Sequence, residues 1–194
     1  MTRAISAAAF LLLGACTAQG DEAQASNAQS SSAQPGQFAG AGPVYLYFVV
    51  DPDIVGVVIE SPMANYGVSS DLVIPPQNQG VPEFQDYNDL RDELSRAIAS
   101  DIDGIEASVG SKFAFTDGAG CTYYEGSESI YKKDGQWMVT FDIEFACRDM
   151  ASLKDVSINL FDGGGFSKGF ATVINGDLEA SKEVDGINRK IELY

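Results

Sequence analysis

Twelve consecutive residues, Gln136-Trp137-Met138-Val139-Thr140-Phe141-Asp142-Ile143-Glu144-Phe145-Ala146-Cys147, alternate apolar and polar side chains along most of their length. Successive side chains of a β-strand point to opposite faces of a sheet. Polar residues occupy one face of this segment, and the other face carries large apolar side chains: Trp137, Val139, Phe141, Ile143 and Phe145. The pattern predicts a long strand with one face in the core and the other toward solvent.

The residues before this strand predict a hairpin. Lys133-Asp134-Gly135 has the composition of a three-residue loop with its glycine in the left-handed conformation. Such a loop pairs Lys132 with Gln136. Counted from there, Cys121 lies opposite Cys147, so that the loop and a bond between the two cysteines are compatible.

One residue of this hairpin conflicts with the apolar pattern. In the predicted register Glu125 lies opposite Ile143, on the face that otherwise holds large apolar side chains. A β-bulge inserts one extra residue into a strand and changes the register locally. We therefore expect a bulge near Gly126.

Five further segments predict strands. Residues 44–50 and 54–59 are rich in β-branched and aromatic residues and flank Asp51-Pro52-Asp53, which is typical of a hairpin. Alternating apolar residues predict three more strands, at residues 156–161, 169–175 and 187–193. The glycine-rich stretches 163–165 and 175–177 predict the turns between them.

A single helix is predicted, over about residues 86–100. Leu90, Leu94 and Ile98 recur at helical spacing and polar residues surround them, so the apolar stripe faces the core. Residues 61–80 contain three prolines and predict a long loop. Many antiparallel strands with one main amphipathic helix and one disulfide give an α+β fold.

The first sixteen residues have the layout of a secretory signal. Arg3 precedes an apolar run that ends at Leu13-Gly14-Ala15-Cys16. The run is about ten residues long, half of the roughly 20 that a helix needs to cross a bilayer. We predict a signal peptide over residues 1–15, a flexible tether rich in Gln, Ala, Ser and Gly over residues 16–42, and a single domain over residues 43–194.

The chain is strongly acidic, with a formal net charge of −16. Removal of residues 1–15 takes one arginine and no acid, so the remaining chain carries 11 − 28 = −17. Such a charge repels phosphate backbones and anionic lipid headgroups, which argues against nucleic-acid binding. An acidic surface attracts cations loosely. The alternative interpretation is that the charge serves only to keep the protein soluble.

The chain contains no histidine. A Ser-His-Asp triad, a Cys-His dyad and zinc sites built on imidazole are therefore excluded. Gly165-Phe166-Ser167-Lys168-Gly169 fits the G-x-S-x-G pattern, but it lacks an imidazole base and is interpreted as a glycine-rich turn. We assign no catalytic residue.

The chain has three cysteines, and one of them, Cys16, lies at the end of the signal-like segment. The other two, Cys121 and Cys147, are an even number that can pair with each other. In an oxidising compartment such a pair predicts a disulfide. A reactive or metal-binding pair is the alternative, although the separation resembles neither a C-x-x-C redox motif nor a zinc ribbon.

The stretch Asp101-Ile102-Asp103-Gly104-Ile105-Glu106 contains the Asp-x-Asp-Gly centre of a calcium-binding EF-hand loop. With Gly104 at loop position 6, however, Ala99 and Gly110 stand where carboxylates are required. The segment is interpreted as a helix C-terminus with turn-forming residues. We assign no metal ligand and no cofactor.

Leu13-Gly14-Ala15-Cys16 resembles the lipobox of bacterial lipoproteins. The resemblance implies that Cys16 becomes the acylated N-terminus of the mature chain and holds it on a membrane, since each buried methylene contributes about 0.8 kcal/mol. Thr17 stands where an Asp commonly marks inner-membrane retention, which implies an outer-membrane lipoprotein that faces the periplasm. The alternative is an ordinary secretory signal in which Cys16 has no role.

The mature domain is similar, in short stretches, to the ZrgA-like family of periplasmic proteins, a group linked to zinc uptake. The similar stretches are Ile59-Glu60-Ser61-Pro62-Met63-Ala64-Asn65, Ala119-Gly120-Cys121, Phe145-Ala146-Cys147-Arg148-Asp149 and Val156-Ser157-Ile158-Asn159-Leu160-Phe161. The resemblance implies paired cysteines and a single domain. The family's zinc association rests on histidine-rich stretches, so no metal ligand is carried over to this chain.

These observations predict a non-enzymatic envelope lipoprotein that acts as a binding or accessory domain for an unidentified ligand. Its membrane contact is the lipid on Cys16, and a protein partner in the envelope is compatible with the sequence. One alternative is a protein that binds zinc or calcium through carboxylates. A second alternative is a histidine-free hydrolase that uses Asp, Glu, Tyr or Lys.

Overall fold

A computed structural model describes residues 41–68, 84–98, 104–162 and 165–194, all within one compact unit. The helices are α1 (Phe84–Ile98) and α2 (Ile105–Gly110). The strands are β1 (Val44–Val50), β2 (Ile54–Pro62), β3 (Phe113–Phe115), β4 (Cys121–Lys133), β5 (Gln136–Cys147), β6 (Asp155–Ile158), β7 (Lys168–Asn175), β8 (Leu178–Asp185) and β9 (Lys190–Glu192). Neither described helix is long and apolar enough to span a membrane.

Two sheets make up the fold. The large sheet has the strand order β4-β5-β2-β1-β7-β8, and the small sheet has the order β3-β6-β9. Every described pairing is antiparallel except β1 with β7, which is parallel. The predicted fold class is confirmed: an α+β architecture with mostly antiparallel sheet, one main helix and the Cys121–Cys147 disulfide.

One face of the large sheet, called the inner face, forms the core. It carries fully buried side chains on three central strands: Leu46, Phe48, Val57, Ile59, Phe141 and Ile143. The small sheet packs against it, with the rings of Phe48 and Phe113 6.0 Å apart. On α1, Leu90 and Leu94 are fully buried, as the helical pattern predicts. The opposite face of the large sheet, called the outer face, carries the alternate residues.

The β4–β5 turn is tighter than predicted. Lys133 pairs directly with Gln136, so the loop has two residues, Asp134 and Gly135. Both have positive φ, 51° and 82°. Asp-Gly suits a two-residue hairpin turn with this conformation, because its twist matches that of the strands. The predicted three-residue loop, with Lys132 opposite Gln136, is wrong.

A bulge corrects the register further along the hairpin. The pairing shifts between Tyr123 and Glu125, so that Glu125 lies opposite Glu144 and not opposite Ile143. The bulge therefore falls at Tyr124, two residues before the predicted position near Gly126. The extra residue offsets the shorter turn, and for this reason Cys121 still lies opposite Cys147 as predicted.

Other boundaries differ from the sequence prediction. The helix predicted for 86–100 is α1, at Phe84–Ile98. The predicted loop at 61–80 begins later, since β2 runs to Pro62 and a short 3-10 helix follows at Met63–Tyr66. Strands predicted at 156–161 and 187–193 are shorter, as β6 and β9. The signal peptide, the tether up to residue 40, residues 69–83 and the turn residues 163–164 lie outside the described residues.

Among the described α-helices and strands, three were not predicted: α2, β3 and β8. Most of β8 is exposed on both faces, so it lacks the alternation that marks a half-buried strand. Its pairing with β7 is long and regular, from Lys168 opposite Asp185 to Asn175 opposite Leu178. The predicted turn at 175–177 is confirmed, because Gly176 and Asp177 connect the two strands.

Candidate functional site

A groove lies beside the disulfide, between β3 and the first residues of β4. Its volume is about 600 Å³, within the range of small-molecule sites in proteins. Residues from α2, β3, the loop before β4, β4 itself and β5 line it: Ala107, Gly110, Ser111, Phe113, Ala114, Phe115, Thr116, Asp117, Gly118, Gly120, Cys121, Tyr123 and Phe145. We call it the disulfide groove.

Aromatic rings form the walls of this groove. Phe145 packs edge-to-face against Phe115, with ring centroids 4.8 Å apart, and against Phe113, with centroids 6.2 Å apart. Gly110 of α2 leaves room for Tyr123, since a Cβ there would lie only 3.1 Å from the Tyr123 ring. The groove thus presents apolar surface with a few polar groups at its rim, an arrangement that suits binding of an apolar ligand.

The β3 strand adds backbone hydrogen-bonding groups to the groove. β3 lies at the edge of the small sheet, and among the described residues it pairs with β6 alone. The carbonyl of Lys112 accepts from Asn159 N–H, and Thr116 N–H donates to the carbonyl of Asp155. Backbone groups alternate in direction along a strand, so those of Phe113 and Phe115 point to the free edge. A ligand with polar groups can pair with them.

A second feature, the Glu106–Glu128 pair, lies where α1 and α2 meet β4. Tyr87 donates its hydroxyl to Glu128 Oε1 over 2.8 Å, and Arg91 Nε donates to the same oxygen. Arg91 Nη2 also lies 3.5 Å from Glu106 Oε1. The carboxyls of Glu106 and Glu128 are hydrogen-bonded to each other, and their side chains are only 12% and 8% exposed.

The two carboxyls of this pair differ in their affinity for a proton. Burial and the hydrogen bond to Glu128 raise the pKa of Glu106. Burial works against the charged form of Glu128 as well, but hydrogen bonds from Glu106, Arg91 and Tyr87 prevail and lower its pKa. Burial, together with the hydrogen bond to Glu128, raises the pKa of Tyr87 to about 12. Glu106 therefore binds a proton more readily than Glu128 does.

The pair and the disulfide groove share α2 but face different neighbours. Ala107 and Gly110 of α2 line the groove, whereas Glu106 contacts Arg91 of α1 and Glu128 of β4. The Oε1 atom of each carboxyl is engaged by described side chains. This geometry favours a structural role, in which the pair joins both helices to the sheet.

The structure places the predicted site residues as follows. Cys121 and Cys147 are bonded to each other, and Cys121 lines the groove. Cys16 and residues 101–103 of the EF-hand-like stretch lie outside the described residues. The stretch was predicted to be a helix C-terminus. Its described part is instead the start of a helix, because Gly104 directly precedes α2. Within the described residues, no group of three or more His, Cys, Asp or Glu side chains could hold a metal ion.

Sequence reasoning missed both the groove and the Glu106–Glu128 pair. In the predicted register, Glu128 lies opposite Thr140, on the solvent face. In the structure it lies opposite Phe141, on the inner face beside the helices. A register error of one residue moves a side chain to the other face of a sheet, and this one concealed the pair. The available signal was Asp134-Gly135, which favours a two-residue turn.

Comparison with known proteins adds no family to this description. The chain matches no family model. It also has no significant match among curated proteins.

Proposed function

We propose that this chain is a non-enzymatic binding or accessory domain of the bacterial cell envelope, held on the outer membrane by a lipid on Cys16. The disulfide groove carries the proposal. Its volume, its aromatic walls and the free edge of β3 suit a ligand with apolar groups and some backbone-like polar groups. Among the described lining residues, Asp117 is the carboxylate and Tyr123 the phenol, a set that favours binding over catalysis.

Occupancy of the groove is tested with an apolar fluorescent dye, N-phenyl-1-naphthylamine. Its emission is expected to rise in a saturable manner with the wild-type protein. Ala114 lines the groove and is exposed, so Ala114→Phe fills it and is expected to weaken dye binding about tenfold. Ala180 is also exposed, on β8 and away from the groove, and Ala180→Phe serves as the matched control. Equal affinities for the two variants would remove the groove as the site.

The lipid anchor is tested by metabolic labelling of producing cells with palmitate. The wild-type chain is expected to incorporate the label and to fractionate with membranes. Cys16→Ser is expected to lose the label, because the acylated residue is gone. The Cys121→Ser/Cys147→Ser variant removes the other two cysteines and is expected to keep it. Retention of label by Cys16→Ser would contradict the lipoprotein proposal.

Two alternatives stay open as proposals of lower rank. Binding of zinc or calcium through carboxylates is supported by the acidity of the chain and by the zinc association of the ZrgA-like family. A histidine-free hydrolase would use carboxyls with separated proton affinities, as the Glu106–Glu128 pair has. That pair is occupied by Arg91 and Tyr87, and this occupancy is why we rank the hydrolase last.

A further inference from the structure

The outer face of the large sheet carries an exposed aromatic cluster. Tyr45 of β1 and Phe170 of β7 are neighbours across the parallel pairing, and their rings stack with centroids 5.8 Å apart. Tyr47 lies two residues along β1 on the same face. The three side chains are 37%, 37% and 38% exposed, so the described residues leave this face open. Large aromatic side chains at such exposure are typical of interaction surfaces.

Carboxylates flank this cluster on both sides. Asp142 and Glu144 of β5 lie on the outer face on one side, opposite Val58 and Gly56 of β2. Glu179 and Glu183 of β8 lie on the other side, where Glu183 pairs with Phe170. None of the four forms an ion pair with a described residue. Their charge is therefore available to a partner.

The spacing of these two rows fits an extended peptide. β5 and β8 are separated by β2, β1 and β7, and neighbouring strands lie about 4.8 Å apart, which puts the rows about 19 Å apart. An extended chain rises about 3.3 Å per residue, so about six residues cross the aromatic cluster from one row to the other.

From these observations we infer that the outer face binds a basic, arginine- or lysine-rich segment of a protein partner. Cationic side chains bind aromatic faces and carboxylates alike, and the outer face offers both. The net charge of −16 disfavours a second copy of this chain as the occupant, because like charges repel across an interface. The same charge disfavours nucleic acid and anionic lipid. This surface is separate from the disulfide groove, which lies on the inner side of the sheet.

The test is fluorescence anisotropy with a labelled peptide of about 12 alternating arginine and glycine residues, long enough to span both rows. The full mature chain is titrated in, and a glutamine-glycine peptide of the same length is the neutral probe. We expect saturable binding of the arginine peptide, weaker by at least about tenfold at 300 mM than at 50 mM salt. The neutral peptide is expected to bind at least about tenfold more weakly.

A matched pair of variants separates the outer face from general acidity. Tyr45→Ala/Glu183→Gln removes one ring and one charge from the face, and it is expected to weaken binding about tenfold. Tyr194→Ala/Glu192→Gln removes the same groups at exposed positions near the C-terminus, and it is expected to change binding less than twofold. Asp142→Asn/Glu144→Gln, which spares the aromatic cluster, should weaken binding even if Tyr45→Ala impairs folding.

Three results would overturn the inference. Equal losses in the outer-face and C-terminal variants would assign the binding to net charge alone. Equal affinity for the neutral peptide would point to a different ligand class, such as an uncharged glycan. Absence of binding at millimolar peptide would leave the face without a basic partner.

Discussion

At the scale of single residues, the Glu106–Glu128 pair makes stability depend on pH in two opposite directions. The raised pKa of Glu106 contributes stability that is present below the ordinary value of 4.5 and is lost as pH rises through the raised value. The lowered pKa of Glu128 contributes stability that is present above 4.5 and is lost as pH falls through the lowered value. The pair therefore stabilises the fold most near pH 4.5.

Glu106→Gln is expected to remove the loss on the alkaline side. A glutamine amide donates a hydrogen bond to Glu128 at every pH, and Arg91 and Tyr87 keep their partner. We expect the free energy of unfolding to match wild type at pH 4.5 and to exceed it at pH 8 by about 1 kcal/mol. Urea unfolding at several pH values measures this difference.

Two further variants control this experiment. Glu93→Gln changes a more exposed carboxylate of α1, paired with Arg96, and is expected to leave the pH profile unchanged. Glu128→Gln removes the acceptor that Arg91 and Tyr87 share, so it is expected to lower the free energy of unfolding at pH 7 by about 1–3 kcal/mol. A Glu106→Gln profile parallel to wild type would mean that the pKa of Glu106 is not raised in the fold.

At the scale of elements, the parallel β1–β7 pairing depends on one glycine. Gly169 lies opposite Val44, and a Cβ at this position would lie 2.6 Å from the carbonyl oxygen of Val44 and 2.5 Å from its Cγ1. Strand glycines commonly mark such close approaches of another backbone. Gly169→Ala is expected to lower the free energy of unfolding by about 2–3 kcal/mol, measured by urea denaturation.

Gly56→Ala is the matched control within the same sheet. Gly56 lies in β2, and its added Cβ would meet Val49 at an ordinary contact distance of 3.8 Å. Its stability is expected to stay within about 0.5 kcal/mol of wild type, because the loss of chain freedom in the unfolded state offsets any crowding. If the two alanines had equal effects, the close β1–β7 approach would not be the cause.

The elements also show which parts of the fold are predictable from sequence. β5 and α1 were predicted because each buries one face, so that its apolar residues recur with the period of the strand or helix. β1 and β2 were predicted from runs rich in β-branched and aromatic residues on either side of a turn. β8 has almost no buried face and left no such pattern. β8 pairs with β7 because the tight turn at Gly176-Asp177 brings it back along the edge of that strand.

The candidate site was less predictable than the fold for a related reason. The disulfide groove is formed by α2, β3 and the N-terminal end of β4, and both α2 and β3 are too short for a periodic signal. The position of Glu128 depends on the two-residue turn at Asp134-Gly135, which shifts the register of β4 by one residue from the one predicted. The alternation of apolar and polar residues identifies which face of a strand is apolar. To predict a site, the pairing of each strand with its neighbour must also be known to the exact residue.

At the scale of the whole molecule, the disulfide limits the freedom of the unfolded chain. It joins residues 26 apart, and closing a loop of that length is worth about 3.5 kcal/mol in the chain-entropy model. Cys121→Ser/Cys147→Ser is expected to lower the free energy of unfolding by about this amount, measured by urea denaturation. Reductant is expected to destabilise the wild type similarly and to leave the variant unaffected. A loss under about 1 kcal/mol would show that the hairpin is already restrained in the unfolded chain.

Cation dependence of the melting temperature separates the proposed function from its first alternative. No described cluster of three or more carboxylates or thiols is arranged for a metal, so we expect the melting temperature of the full mature chain to be equal, within about 1 °C, in EDTA, zinc and calcium. A specific site occupied at 100 times its dissociation constant would add about 2.7 kcal/mol, which corresponds to about 5–10 °C for a chain of this size. Magnesium at the same concentration controls for loose screening of the net charge of −16. A saturable rise with zinc or calcium, absent with magnesium, would transfer the assignment to a carboxylate-based cation-binding protein.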